Sequence, residues 1–95
     1  MDIKHVAGKK NIGKVMLYAL STCMWCKKTK ALLNDLGVDY DYADVDLLEG
    51  KDRETAIDII KKYNPACSFP TLVINDQKCI VGYNEEDIRK AVDGQ

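Results

Sequence analysis

The feature that most constrains this chain is a pair of cysteines, Cys23 and Cys26, set at the seam between an apolar run and an amphipathic one. Upstream, Lys14 to Leu20 (KVMLYAL) is almost continuously apolar, the pattern of a strand covered on both faces. Downstream, Cys26 to Leu36 places Leu32, Leu33 and Leu36 at helical spacing before Gly37 stops the run, and Ser21 and Thr22 offer hydroxyl caps just ahead of it. A buried strand therefore hands over to a helix across the two cysteines. Both thiols are expected on a strand-to-helix turn.

The remaining segments extend the same alternation. Val38 to Val45 alternates apolar and acidic residues, and a strand reached from the first one through a helix implies a parallel crossover. Asp52 to Tyr63 sets Ala56, Ile57, Ile60 and Tyr63 on one helical face, ending at Asn64-Pro65. Thr71 to Ile74 and Lys78 to Val81 are short β-branched runs around Asn75-Asp76-Gln77, which predicts a hairpin. Asn84, with Asp87 three residues on, caps a last helix that buries Ile88, Ala91 and Val92. The expected order is βαβαββα. Residues 1–13 read as an N-terminal extension in which Ile3 to Ala7 suits an extra strand and Gly8 to Gly13 a basic, glycine-bounded turn. Residues 14–95 read as one domain, since 95 residues with 46% hydrophobic content supply one core and not two.

Charge and hydropathy narrow the partners. The chain has 14 basic and 15 acidic side chains, so nothing in it suggests a nucleic-acid surface. No apolar run approaches the roughly 20 residues of a membrane span, and Met1 to Lys10 lacks the apolar core of a signal peptide. A cytoplasmic location without membrane attachment is the expectation. Cytosolic thiols are kept reduced, so a close cysteine pair there asks for a chemical role.

That role follows from the turn. A thiol must ionise to attack a disulfide, and a helix N-terminus offers unpaired N–H groups and about half a positive charge to the thiolate. Cys23 is the expected nucleophile and Cys26, deeper in the helix, the resolving thiol. Cys23 attacks a substrate disulfide, and Cys26 then displaces the product and leaves a Cys23–Cys26 bridge. Lys27 and Lys28 either add positive field or form a solvated helix face. A structural zinc site wants a second close pair, whereas Cys67 and Cys79 lie far apart and His5 is the only histidine. No metal is expected.

Three stretches, Tyr18-Ala-Leu-Ser-Thr-Cys-Met-Trp-Cys26, Ser68-Phe69-Pro70-Thr71 and Val81-Gly82-Tyr83, carry a family resemblance. From about Lys14 to Val92 the chain resembles the glutaredoxins, and the glutaredoxin-like redoxins that serve ribonucleotide reductase, within the thioredoxin-fold superfamily. The resemblance implies a thioredoxin-like (glutaredoxin-type) α/β fold, with a mixed four-stranded central sheet and helices on both faces. It also implies a cis bond at Phe69–Pro70 facing the cysteine turn, with the Phe69 N–H and C=O free to pair with an extended substrate. Pro70 then holds the substrate beside Cys23, and Trp25 and Tyr83 form an apolar rim. Gly82 either permits close backbone approach or is a plain turn glycine. Tyr18 is read as strand packing.

Departures from the family pattern bear on the substrate. Glutaredoxins usually carry a lysine or arginine three residues before the first cysteine and a second glycine beside the one matched by Gly82, both used on glutathione; here these are Leu20 and Val81. Met24 stands where proline is usual, and Leu47 to Lys62 is longer than the norm. The expectation is a monomeric dithiol thiol–disulfide oxidoreductase carrying electrons to protein disulfides. It holds no tight cofactor and is recharged by an external low-molecular-weight thiol or a thioredoxin-reductase-type flavoprotein. The alternatives are a glutathione-linked glutaredoxin and an iron–sulfur cluster-binding module, against which the retained Cys26 argues. Cys67 reads either as a regulatory thiol near the turn or as a small buried residue, and Cys79 as packing.

Overall fold

A computed structural model describes residues 1–93; the end of the segment expected to run to residue 95 lies outside the described residues. Along the chain come β1 (Lys4–Val6), β2 (Val15–Ala19), α1 (Met24–Asp35), β3 (Tyr40–Asp44), a short 3-10 turn (Val45–Leu47), α2 (Gly50–Tyr63), β4 (Thr71–Ile74), β5 (Lys78–Val81) and α3 (Glu85–Asp93). The strands form one five-stranded mixed sheet in the order β1-β3-β2-β4-β5. β2 and β3 run parallel, as the helical crossover between them requires, and the other pairs are antiparallel. The expected βαβαββα order is present, and the extra N-terminal strand makes the fifth.

Every residue of β2 is buried, and its alternation feeds two cores. Val15, Leu17 and Ala19 pack with Leu32 and Leu33 of α1 and Ile88, Ala91 and Val92 of α3. Met16 and Tyr18 point the other way, toward Ala56 and Ile60 of α2. The sheet is thus covered on both faces, which explains the unbroken apolar run of its central strand. Tyr18 is a packing residue, as expected.

Element boundaries depart from the periodicity by two residues or more at three places. α1 starts at Met24 and α2 at Gly50, each two residues earlier than the apolar stripe indicates. In both cases the first turn points at solvent, through Met24 and Trp25 or Gly50 and Lys51, so it contributes no apolar repeat. β3 covers only Tyr40–Asp44 of the alternating stretch: Val45 turns into the 3-10 segment, and Val38 makes an isolated bridge to Lys10. The β4–β5 hairpin has the expected bounds. Asn75 and Asp76, both at φ 54°, form its turn, and the Gln77 N–H closes it on the Ile74 carbonyl. Gly13 is needed beside this turn, because a Cβ there would lie 2.2 Å from Asn75 Oδ1. Among the described residues no helix is long and apolar enough to cross a membrane.

β1 is held by more than its short ladder. His5, opposite Asp41, places Nδ1 2.6 Å from Asp41 Oδ1 and Nε2 3.2 Å from Asp39 Oδ1. The bond to Asp41 raises the His5 pKa, with some opposition from desolvation and further help from both carboxylate charges. A raised folded-state pKa makes this clamp fully present below the ordinary histidine value of about 6.5 and lost as pH rises through the raised one. Amide exchange at Val6, corrected for its intrinsic rate, is expected to accelerate over that rise in the native protein and to stay flat in His5→Gln. For the core, truncation of the fully buried Leu17 to alanine is expected to lower denaturant stability by about 2–5 kcal/mol.

Candidate active site

β2 ends at the turn that carries the cysteines. The Cys23 N–H donates to the Leu20 carbonyl at 3.2 Å, and the Lys27 N–H donates to the Cys23 carbonyl at 3.0 Å, so Cys23 is the residue from which α1 starts. It has extended backbone (φ -83°, ψ 119°), and its sulfur accepts the Cys26 N–H at 3.2 Å. The thiol itself therefore caps the helix, in place of the expected Ser21 or Thr22 hydroxyl. Its sulfur sits at the positive end of the helix with an N–H aimed at it.

The two thiols have different surroundings. Cys23 is partly exposed, whereas Cys26 is 0% exposed. Burial, together with the contact to Cys23, pushes the Cys26 thiol up to about 12; the Leu20 N–H, 3.5 Å from its sulfur, and the Lys30 ammonium oppose that rise without reversing it. Lys30 is held between α1 and β3, with Nζ 3.1 Å from Asp44 Oδ1 and 4.1 Å from the Tyr42 ring centroid.

Beside the turn lies an open cleft of about 190 Å³, lined by Trp25, Phe69, Pro70, Gly82 and Tyr83. These are the five residues that the sequence marks for substrate, drawn from three separate segments. Trp25 stacks on Tyr83 with ring centroids 5.8 Å apart and planes 23° from parallel. Lys28 holds its ammonium 4.8 Å from the Trp25 ring centroid, and Trp25 remains 53% exposed. The Phe69–Pro70 bond is cis. The Pro70 carbonyl accepts the Gly82 N–H at 2.8 Å, which joins the start of β4 to the end of β5. At Gly82, φ is 77° and a Cβ would meet nothing within 4 Å. The glycine is there for its left-handed backbone and not for close approach.

Leu20 is half-buried against the α2 side of the core, and Val81 is exposed at the edge of the sheet. Cys67 and Cys79 are both half-buried; Cys67 packs against the α2 core at φ 51°, and burial raises the Cys79 thiol pKa. One side chain at the turn escapes sequence reasoning. Asp46 accepts both the Ser21 N–H, at 2.8 Å, and the Ser21 hydroxyl, and these two bonds lower its pKa. Asp46 directly follows an alternating stretch that holds several acids, and no local pattern separates it from them. Only the parallel register, which sets Ala19 beside Asp44, brings the ends of β2 and β3 together.

The unequal exposure of the two thiols has a direct chemical readout. Iodoacetamide at neutral pH is expected to alkylate Cys23 at least tenfold faster than Cys26 in the native reduced protein, as peptide mapping would measure, because burial keeps Cys26 protonated and out of reach. Denaturation should bring the two rates together.

Comparison with known proteins agrees with this geometry. A glutaredoxin family model matches residues 15–80. A glutaredoxin-like 8.6 kDa protein encoded in a rubredoxin operon of Clostridium pasteurianum is 32% identical over 80 residues, which cover 83% of this chain and 97% of the relative. Among solved structures, the methanoredoxin of Methanosarcina acetivorans is 49% identical with a TM-score of 0.90, and the alignment covers 94% of each chain. A glutaredoxin from Methanosarcina mazei is 56% identical with a TM-score of 0.89, over 95% of this chain and 86% of that one. With a cysteine pair on a strand-to-helix turn, a cis-proline loop beside it and a family match across most of its length, this chain belongs to the glutaredoxin family of the thioredoxin-fold superfamily.

Proposed function

We propose that this chain is a dithiol oxidoreductase that passes electrons to protein disulfides. The observation that carries this reading is the contrast between a partly exposed, helix-capping Cys23 and a fully buried Cys26 beside one open cleft. The Cys23 thiolate attacks one sulfur of the substrate, forming a mixed disulfide while the other substrate sulfur leaves as a thiolate and takes a proton. Cys26 then gives up its proton and attacks the Cys23 sulfur. The second substrate thiol is released, a Cys23–Cys26 bridge remains, and two electrons have moved to the substrate.

The walls of the cleft bear on the substrate. Trp25, Tyr83 and Phe69 present apolar and aromatic surface, and among the described residues no hydrogen bond occupies the Phe69 N–H or C=O. An extended segment flanking a disulfide fits such a site, with its backbone on Phe69 and its sulfur toward Cys23. Leu20 and Val81 replace the cation and the second glycine with which relatives of the resembling type bind glutathione, which favours a protein substrate. A low-molecular-weight thiol or a thioredoxin-reductase-type flavoprotein then returns two electrons to the oxidised pair.

Insulin reduction coupled to a chemical reductant tests the reading. The native chain is expected to be active, Cys23→Ser to lose at least a hundredfold, and Cys26→Ser to accumulate a mixed disulfide visible by mass spectrometry. Full activity in Cys23→Ser with loss in Cys26→Ser would reverse the two roles. Offering glutathione and a thioredoxin reductase separately to the oxidised protein identifies the electron donor. Because burial raises the Cys26 thiol pKa, resolution of the mixed disulfide is expected to quicken as pH rises across the neutral range, measured by stopped-flow after trapping.

A further inference from the structure

The loop that carries Phe69 and Pro70 is pinned on two sides. On one side the Gly82 N–H holds the Pro70 carbonyl. On the other stands Asn64, the residue that ends α2, which is only 5% exposed. Its side-chain amide lies 3.0 Å from Thr71 Oγ1, 3.1 Å from Ser68 Oγ and 3.3 Å from the Ser68 carbonyl. Thr71 Oγ1 in turn donates to that same Ser68 carbonyl at 2.7 Å. The backbone of Asn64 is engaged as well: its N–H donates to Ile60 at 2.7 Å, and its carbonyl accepts the Cys67 N–H at 2.9 Å. One buried amide thus reaches residues on both sides of the Phe69–Pro70 pair and ties them to the end of a helix.

We infer that Asn64 is a positioning residue for substrate. Its amide holds the Ser68–Thr71 loop so that the Phe69 peptide group faces the cleft at a fixed distance from Cys23. The inference rests on the proposed reduction of protein disulfides and adds a residue to it. A purely structural helix-end asparagine needs only its backbone bonds. Here the side chain is turned onto the loop: Thr71 is fully buried, so removing the amide leaves its hydroxyl oxygen without that donor and unlinks Ser68 from the helix end. Cys23 sits on a separate turn, held through the Leu20 carbonyl and the Ser21–Asp46 bond, and among the described residues no hydrogen bond from Asn64 reaches it. Loss of the amide should therefore impair substrate docking and leave the thiol chemistry intact.

The test separates these two effects. In Asn64→Ala the KM for a protein disulfide is expected to rise about tenfold, the order of one lost buried hydrogen bond, with kcat within about twofold of native. The alkylation rate of Cys23 by iodoacetamide should not change. Thr71→Val removes the hydroxyl that receives the amide while keeping the strand backbone, and the same split is expected if Asn64→Ala does not fold. An unchanged KM in a folded variant, or a fall in Cys23 alkylation matching the loss of activity, would overturn the positioning role while leaving the proposed reaction in place. A native chain inactive on every protein disulfide would remove the reaction itself, and this inference with it.

Discussion

The burial of β2 between two helical layers is the constraint on which the rest of the structure depends. The strand pairs with β3 on one side and β4 on the other, so its backbone is satisfied along its length and its side chains have no route to water. Five buried side chains feed both cores, and each fully buried aliphatic contributes about 1.5–3 kcal/mol. A strand so placed can only end at the rim of the sheet. The cysteine turn lies at that rim, and the first turn of α1 must lean over the sheet, which draws Cys26 into the core while Cys23 stays at the solvent edge.

One helical turn thereby gives the two thiols different chemistry. Both lie near the helix N-terminus, where the macrodipole is worth about 0.3–1 kcal/mol at an exposed position. Burial acts in the opposite direction and more strongly, shifting fully enclosed groups by as much as 3–5 pKa units. For Cys26 burial wins, and the thiol is pushed up to about 12 despite the Leu20 N–H and the nearby Lys30 charge. Cys23 keeps the helix field and accepts the Cys26 N–H. The same turn that starts the helix thus leaves one thiol at the solvent edge and encloses the other.

The cleft comes from strand register. Thr71 pairs with Val81, so the residues just before β4 and just after β5 must lie side by side. Phe69 and Pro70 meet Gly82 and Tyr83 there, and the stacking of Tyr83 on Trp25 joins this corner to the cysteine turn. Bonds from elements distant in the chain then stiffen the rim: Asp46 holds Ser21 just before Cys23, and Asn64 braces the Ser68–Thr71 loop. A rigid rim of this kind suits exchange chemistry, in which the attacking sulfur must line up with the bond it breaks.

Burial leaves a period in the sequence, and the sequence by itself therefore determined the elements whose burial is periodic. The apolar run of β2, the β4–β5 hairpin with its Asn75-Asp76 turn, and α3 with Asn84 accepting the Asp87 N–H were all legible, as was the place of the two cysteines between strand and helix. The five cleft residues were named through family resemblance, not periodicity. Tertiary structure alone decided the rest. The solvent-facing first turns of α1 and α2 add no apolar repeat, so their starts could not be read. The pairing of β1 with β3 is reinforced by an exposed histidine and two aspartates that form no pattern of their own. Asp46 and Asn64 act across 25 and up to 7 residues of chain, respectively, through hydrogen bonds that exist only once the sheet has set the register. Polar contacts between separate segments depend on where the backbone carries them, and that is information no local spacing holds.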